Sequence, residues 1–322
     1  MVISMSAIFE YIGYIILAEI LVLPFSYALA QTVDLSEEEK KSNKIKENSV
    51  FNFINVTLLV IIAAICFLPF LNVFSMALSQ TEDVNFTPKL FTWENFKTVF
   101  EDEGFWRSMG VSFLVVVCGT ALSVTVMFAA AYALSKRDFP CRKGIMVFFI
   151  IVMIFSGGMV PNYLLVSTLG LTRTPWALIL PSVVQVYNLI LIKSYLEGLP
   201  GELEESASID GANNLQIMFK VLLPMSMPCV ASVSLFTAVT LWNNYTSALL
   251  YLGTEEKWYP LSLYILNYIQ SEPDLLSGTY ESIHKANIES AMIVVSIIPI
   301  LLVYPLVLKY FTKGVTVGAV KG

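Results

Sequence analysis

The stretch LPGELEESASIDGANNLQIMFKVLLP, residues 199–224, carries a polar insert that separates two long uncharged runs, 174–192 and 221–254. A helix needs roughly 17–25 residues to cross a hydrocarbon core, and both runs satisfy that requirement. Four more such runs lie at 48–81, 108–135, 144–172 and 290–308. Hydrophobic residues make up 56% of the chain and charged residues 14%, whereas soluble domains carry about 25% charged residues. The chain is therefore predicted to be all-α, a polytopic transmembrane helical bundle with six core helices.

The polar insert has the features of two short helices joined by a turn. Leu203, Ala207 and Ile209 lie among four acids, so a helix formed here would be amphipathic. Asp210-Gly211 is a turn signal, because glycine adopts backbone conformations that other residues resist. The insert is predicted to project from the membrane and to seat in the groove of a partner protein. The alternative is an ordinary charged loop between two spans.

The spacing within the insert carries a resemblance to a known family. Glu205-Ser206-Ala207 is followed by Gly211, then by Val221, then by Leu223-Pro224. This pattern resembles the EAA loop found in permease subunits of ATP-binding-cassette importers. The departures from that family pattern are Ser for Ala and Val for Ile, and every spacing fits.

Other segments are similar to the carbohydrate-uptake branch of that family. They are SGGMVP at 156–161, WNNY at 242–245 and the closing stretch 309–322. All three have the character of the maltose-permease G-subunit type and of its lipoprotein-associated relatives. The likeness covers about residues 50–322 and leaves 1–47 unexplained.

The resemblance implies a set of partners. A second, different permease would complete the pathway, a dimer of ATPase subunits would dock on the insert, and an extracytoplasmic solute-binding protein would deliver the sugar. Membrane lipid would surround the bundle. The chain lacks the G-x-x-x-x-G-K-[ST] nucleotide loop, so it is expected to bind no cofactor, with ATP and Mg used by the ATPase subunits. By the same resemblance the tail from Val315 to Gly322 would reach between the ATPases.

The coupling loop is placed at 197–225, and it would rotate the helices as the ATPases close. Glu205 would anchor the partner, while Ala207 and Gly211 would permit close approach. The predicted ATPase-coupling residues are Glu202, Glu204, Glu205, Ser206, Ala207, Asp210, Gly211, Ala212, Leu223 and Pro224.

Polar side chains within the spans supply candidates for the substrate pathway. They form two groups: Gln185, Tyr187 and Asn188; and Trp242, Asn243, Asn244 and Tyr245. Polar groups at such depth generally face a bundle interior or a watery cavity. Sugars are held by aromatic faces and amide hydrogen bonds, which both groups offer. The alternative is hydrogen bonding between helices.

The placement of basic residues predicts the orientation. Thirteen of the 19 Lys and Arg residues fall on one predicted side, namely Lys40, Lys41, Lys44, Lys46, Lys136, Arg137, Arg142, Lys143, Lys193, Lys220, Lys309, Lys313 and Lys321. The positive-inside rule then places the coupling loop and the C-terminus in the cytoplasm of a multi-pass cell-membrane protein. These basic residues are topological and suggest no nucleic acid.

The chain is predicted to divide into three parts. Residues 1–33 are expected to form an extra N-terminal hydrophobic helix that spans the membrane or lies in its interface, 34–49 a charged cytoplasmic linker, and 50–322 the permease domain. The predicted core helices are 50–78, 108–135, 144–166, 175–196, 226–252 and 288–311.

Rival functions predict features that the spans lack. An ion-coupled secondary transporter would need intramembrane acids, and apart from Glu10 and Glu19 the long apolar runs carry none. An enzyme is disfavoured since no nucleophile motif or His cluster occurs, and no metal site is predicted with a single histidine. Cys66, Cys118, Cys141 and Cys229 are interpreted as buried free thiols. Within the importer class, a non-sugar cargo is the alternative.

Overall fold

The computed structural model describes residues 49–81, 88, 90–155, 157–271 and 285–319. The described residues are mainly helical and contain no strand, so the all-α prediction is confirmed. The predictions for residues 1–33 and for most of the linker 34–49 lie outside the described residues. The helices are α1 (Ser49–Ala77), α2 (Glu94–Glu101), α3 (Glu103–Ser135), α4 (Arg142–Ile154), α5 (Met159–Thr168), α6 (Trp176–Ser182), α7 (Val186–Glu197), α8 (Glu202–Ile209), α9 (Asn214–Met225), α10 (Met227–Trp242), α11 (Tyr245–Leu252), α12 (Leu261–Gln270) and α13 (Lys285–Ala319).

Membrane-spanning capacity is divided between straight and bent helices. In the described part of the chain, Asn55–Ala77, Glu103–Ser135 and Lys285–Val303 are each long and apolar enough to cross a membrane. The pairs α4–α5, α6–α7 and α9–α10 pass the same test as bent pairs. Counting each pair as one span gives six, the number predicted from the uncharged runs.

Four predicted helices are wrong in their continuity or extent. The predicted helix 144–166 is interrupted between α4, which ends at Ile154, and α5, which begins at Met159. The predicted helix 175–196 breaks between α6 and α7 with a bend of 47°, next to Pro181, which lacks a backbone N–H. The predicted helix 226–252 is interrupted at Asn243-Asn244, where the Asn244 side chain accepts a hydrogen bond from the Ser247 N–H at 3.2 Å and caps α11. The last helix continues past residue 311 to Ala319, so the described part of the predicted tail is helical.

By its internal contacts the chain divides into two units. The first comprises residues up to Asn95 together with Leu275–Ala291, and the second comprises Phe96–Asp274 and Met292–Gly322.

The first unit secures the end of α1 with buried amides. Asn95 Nδ2 donates to the Ala77 and Ser79 carbonyl oxygens at 3.0 and 2.9 Å, and Asn287 Nδ2 donates to the Ser79 oxygen at 2.8 Å. Both asparagines are buried. These bonds give hydrogen-bond partners to carbonyls at the end of α1 and just beyond it, which have no acceptor role within the helix.

The second unit is built around α3. Asp102 caps this helix, since its Oδ1 accepts from the Gly104 N–H at 2.8 Å. One apolar cluster surrounds the first half of α3 and includes residues of α6, α11 and α12. A second surrounds its last half and includes residues of α7, α9 and α10. The second cluster is the platform on which the polar insert is seated.

The cysteine prediction is right about the free thiols and wrong about burial. All four cysteines are free, but Cys66, Cys118 and Cys141 are exposed and Cys229 is half-buried. An apolar run in a membrane bundle has outward faces as apolar as its inward faces. Burial therefore does not follow from hydrophobicity of the run.

Candidate functional site

The polar insert forms two helices joined by a tight turn, as predicted. The helix α8 ends at Ile209, Asp210 is its C-cap, and Gly211 follows with φ +81°. The Gly211 N–H donates to the Ser208 carbonyl at 3.0 Å and the Ala212 N–H to the Ala207 carbonyl at 3.0 Å. This pair of bonds is a Schellman motif, which requires a left-handed residue and favours glycine. The turn chemistry read from Asp210-Gly211 is confirmed.

The second helix of the insert has its own cap and an irregular interior. Asn213 and Gln216 form a capping box, in which each side chain accepts from the other's backbone N–H at 2.9 Å. The turns Ile217–Leu222 are π-helical. Pro224 follows and has no N–H for the carbonyl one turn earlier, so the ordinary i to i−4 pattern is lost there. The chain then bends by 83° into α10.

The inner side of the insert rests on the bundle. Ala207, Ala212 and Leu223 are partly buried and pack against the second apolar cluster, and Leu203 is half-buried. Small residues at 207 and 212 let the insert lie close to that cluster. The prediction that Ile209 shares this apolar face is wrong, because Ile209 is 86% exposed.

The outer side of the insert combines apolar and acidic groups around a hollow. Ile209 and Leu215 are 86% and 65% exposed, and Phe219 is exposed beyond them. A hollow of about 370 Å³ is lined by Ala207, Asp210, Gly211, Ala212, Gln216, Lys220 and Val221. Apart from Gly211 and its two chain neighbours, no described residue has an atom within 4 Å of the position that a Cβ on Gly211 would take. Glu202, Glu205, Ser206 and Pro224 are also exposed. We call the exposed residues of 202–219 the docking surface.

Glu204 differs from its acidic neighbours. Its carboxylate forms an ion pair and hydrogen bond with Lys136 Nζ at the end of α3, 68 positions earlier in the chain. A second group of charges lies at the ends of α4 and α7. Glu197 accepts from Arg142 Nη2 through one oxygen and from Lys193 Nζ at 2.8 Å through the other. Sequence reasoning treated these basic residues as topological and missed their partners.

The first predicted pathway group is an interhelical contact. Asn188 is 3% exposed, and its Nδ2 donates to Gln185 Oε1 at 2.6 Å and to Thr237 Oγ1 at 3.3 Å. It thus links α7 to α10, which favours the alternative of hydrogen bonding between helices. Gln185 Nε2 is buried without a hydrogen-bond partner in the described part of the chain. Tyr187, by contrast, is 62% exposed, and Thr237 was not predicted.

The second pathway group is scattered. Trp242 packs edge-on against Phe113 with ring centroids 5.5 Å apart, and both line an apolar groove of about 450 Å³ formed by α3, α10 and α13. Asn243 Nδ2 donates to the Val239 carbonyl of its own helix at 3.0 Å, and Asn244 caps α11. Of these four residues, Tyr245 is the one whose large side chain is exposed, at 47%.

The described residues offer no cluster of three or more His, Cys, Asp or Glu side chains that could hold a metal ion. The insert with its docking surface is therefore the best-formed candidate site in that part of the molecule. It presents exposed apolar and acidic side chains beside a small hollow.

Comparison with known proteins identifies the family. The family model described as "Binding-protein-dependent transport system inner membrane component" matches residues 126–317, which include the whole insert. The chain belongs to this family. The resemblance drawn from the EAA-like spacing is thus confirmed.

Individual relatives are similar over most of the permease. The polygalacturonan/rhamnogalacturonan transport system permease protein YtcP of Bacillus subtilis is 39% identical over 86% of this chain and all of its own length. Protein LplC of the same organism is 40% identical over 86% of this chain and 97% of its own. A solved bacterial ABC transporter involved in import of the acidic polysaccharide alginate aligns with TM-score 0.76 and 31% identity, over 82% of this chain and 97% of that one.

These findings agree with the predicted class of protein. The chain is an all-α, multi-pass membrane permease of a transport system. The relatives are transport permeases, in agreement with a transport subunit rather than an enzyme.

Proposed function

We propose that this permease forms half of the translocation pathway of an ATP-driven importer for carbohydrate oligomers, and that it receives the energy of ATP hydrolysis through its docking surface. The observation that supports this most directly is Ile209, an isoleucine 86% exposed on a highly polar turn outside the long apolar spans. The surface is expected to face the cytoplasm, because the predicted distribution of Lys and Arg follows the positive-inside rule.

Burial of the docking surface would supply part of the binding free energy. Covering an exposed isoleucine or leucine side chain contributes about 1.5–3 kcal/mol, and Ile209 and Leu215 both stand clear of the bundle. Before ordering costs, the two together are worth about 3–6 kcal/mol. A partner groove with two apolar sockets fits this geometry.

The charges on the surface set a second requirement for the partner. Glu202 and Glu205 are exposed at the start of α8, and Asp210 lies on the rim of the hollow. We expect Arg or Lys on the ATPase groove opposite these acids, since complementary charges fix register and orientation more than raw affinity. Glu205 is the acid of the EAA-like pattern, and we propose it as the principal polar anchor.

The hollow beside Gly211 gives the docking surface its shape. Beyond its two chain neighbours, no described residue has an atom within 4 Å of the place where a Cβ at 211 would stand, and the walls of the hollow include Ala207 and Ala212. A protruding side chain from an ATPase subunit would fill it. ATP and Mg would be bound by those ATPase subunits.

Carbohydrate cargo is supported by the relatives. One is named for polygalacturonan and rhamnogalacturonan transport, and the aligned structure imports alginate. Tyr187 and Tyr245, both more than a third exposed, are the candidates for stacking on sugar rings. A different second permease and an extracytoplasmic solute-binding protein would complete the importer, and the C-terminal segment would extend toward the ATPases.

The test uses the tagged permease purified from detergent-solubilised membranes of its own host. The wild-type protein is expected to bring down an ATPase subunit whose hydrolysis is measured in the eluate, and a second permease. Ile209→Asp should lose the ATPase while remaining inserted in the membrane and bound to the second permease.

The matched control is Leu169→Asp, which places the same charge on a residue 62% exposed outside the docking surface and should retain the ATPase. Uptake of labelled oligogalacturonate or alginate oligomers in cells tests the cargo. Wild-type ATPase recovery with Ile209→Asp would refute the docking assignment. Uptake that proceeds without ATP would refute the importer.

A further inference from the structure

The ion pairs beneath the insert join segments that are far apart in the sequence. Lys136 and Glu204 are 68 positions apart, and Arg142 and Glu197 are 55 apart. Arg142 also donates through Nε to the Leu134 carbonyl at 2.8 Å. These bonds tie α8 to the end of α3, and the start of α4 to the ends of α3 and α7.

The charges of this group are partly shielded from solvent. The side chains of Glu204, Arg142 and Glu197 are 28%, 27% and 33% exposed, and that of Lys193 is 10% exposed. Screening by salt is weaker for such groups than for fully exposed charges. Lys136 also lies over the Tyr132 ring, 4.6 Å from its centroid, which fixes the ammonium on the α3 side.

Glu204 points away from the docking surface and toward α3, whereas Glu202 and Glu205 are exposed. The apolar seat of α8 is small, since Leu203 and Ala207 are only partly buried. A helix with so little apolar contact can roll or slide on its seat when its outer side is pulled. The Lys136–Glu204 pair opposes that movement because it ties the inner side of α8 to α3, while Ile209 stands exposed on the outer side.

We propose that Glu204 and Lys136, together with the Arg142–Glu197–Lys193 group, form a brace that transmits movement of α8 to α3 and α4. Glu204 is then a positioning residue for coupling and does not contact the ATPase. This inference rests on the proposed function for its role in transport, while the brace itself is a property of the permease alone.

The first test measures the brace without any ATPase. Hydrogen exchange of α8 amides in the purified permease is compared between wild type, Lys136→Glu, Glu204→Lys and the double swap. Each single variant is expected to exchange about threefold faster in α8, as the loss of a partly exposed ion pair implies, and the double swap should restore the wild-type rate. Lys143→Glu is the control, because Lys143 is exposed and forms no ion pair within the described residues.

The second test measures coupling in the reconstituted transporter, as ATP hydrolysed per oligogalacturonate imported. The single variants are expected to retain the ATPase on purification but to hydrolyse several times more ATP per substrate, with restoration in the double swap. Unchanged α8 exchange in the single variants, or a double swap no better than they are, would overturn the brace. Loss of the ATPase from Glu204→Lys that the swap does not restore would also overturn it, by making Glu204 a docking residue. A wild-type permease that binds no ATPase would refute the proposed function instead, and the exchange data would still decide the brace.

Discussion

Substitutions of Gly211 can distinguish two roles of this residue, its left-handed backbone conformation and the open space beside it. Its φ of +81° lies in the left-handed region, where a residue with a Cβ is destabilised by roughly 1–2 kcal/mol. Apart from its two chain neighbours, no described residue has an atom within 4 Å of a Cβ placed on Gly211, so in the permease alone a Cβ at 211 meets no steric obstacle from the described residues packed around it. The whole effect on the isolated chain should therefore be conformational.

The magnitudes expected for three variants differ accordingly. Gly211→Ala should destabilise the turn by about 1 kcal/mol, which raises exchange at the Gly211 and Ala212 amides about fivefold through local opening. Gly211→Asn should change it less, because asparagine tolerates the left-handed region. Gly211→Leu should be at least as unstable as Ala and should also fill the hollow bounded by Ala207 and Ala212.

The assay pairs turn stability with transport. If a partner side chain enters the hollow, transport should fall in the order Gly, Ala, Asn, Leu, which follows side-chain volume and not backbone strain. Membrane insertion and yield should be the same for all four proteins. Normal transport by Gly211→Leu would refute the reasoning, and a strong loss with Ala but not with Asn would show that turn conformation alone governs coupling.

Three further predictions concern the helices that hold the site. Gly119→Ala places a Cβ 2.6 Å from Leu241 Cδ1, and thermal unfolding in detergent should show the free energy of unfolding lowered by about 1–3 kcal/mol. Adding Leu241→Ala should restore part of this loss. No recovery in the double variant would contradict the close-packing argument. Asn244→Ala removes the cap of α11 and should cost about 1 kcal/mol in the same assay, with Asn244→Ser retaining most of it. Burial, followed by its hydrogen bond to Asp102 at 2.7 Å, raises the pKa of Tyr264 above its usual value of 10.0. A group whose pKa is raised in the folded state contributes stability that is fully present below its unfolded pKa and is lost as the pH rises through its folded pKa. Tyr264→Phe should therefore remove a fall in the free energy of unfolding above about pH 10. The trend between about pH 6 and 9 should stay the same.

The part of the site that sequence could predict is the part fixed by local chemistry. The Asp210-Gly211 turn forms through bonds to Ala207 and Ser208, all within six residues, and such bonds depend on glycine at one position. The six spans could also be predicted from the sequence, because each requires only a sufficiently long uncharged run. The break at Asn243-Asn244 had a local signal, since asparagine favours helix caps, but the uncharged run around it hid that signal.

The brace could not be predicted because its partners are specified by the packing of distant helices. In the sequence, Lys136 is one of many basic residues beside a span, and no neighbouring residue indicates that its partner is Glu204. In a soluble protein a hydrophobic face would have indicated which side of α3 faces the rest of the protein. In a membrane bundle outward faces are also apolar, so that contrast is lost.

Small and polar residues indicate which side of a membrane helix packs against its neighbours. On α3 the positions Ser108, Ser112, Gly119 and Ser123 are all buried, and they recur at spacings of four and seven residues that keep to one side of a helix. Ser112 Oγ accepts from the Leu261 N–H at 2.7 Å, which shows one element packed directly on this side. Asn188 and Thr237 mark the facing sides of α7 and α10 in the same way. The inward side of a span in such a permease is therefore better identified by where it is least hydrophobic. The polar groups of Asn188 and Gln185, which the sequence suggested for the substrate pathway, bond to each other, and Asn188 also bonds to Thr237 of α10. Their place in the pathway stays a prediction.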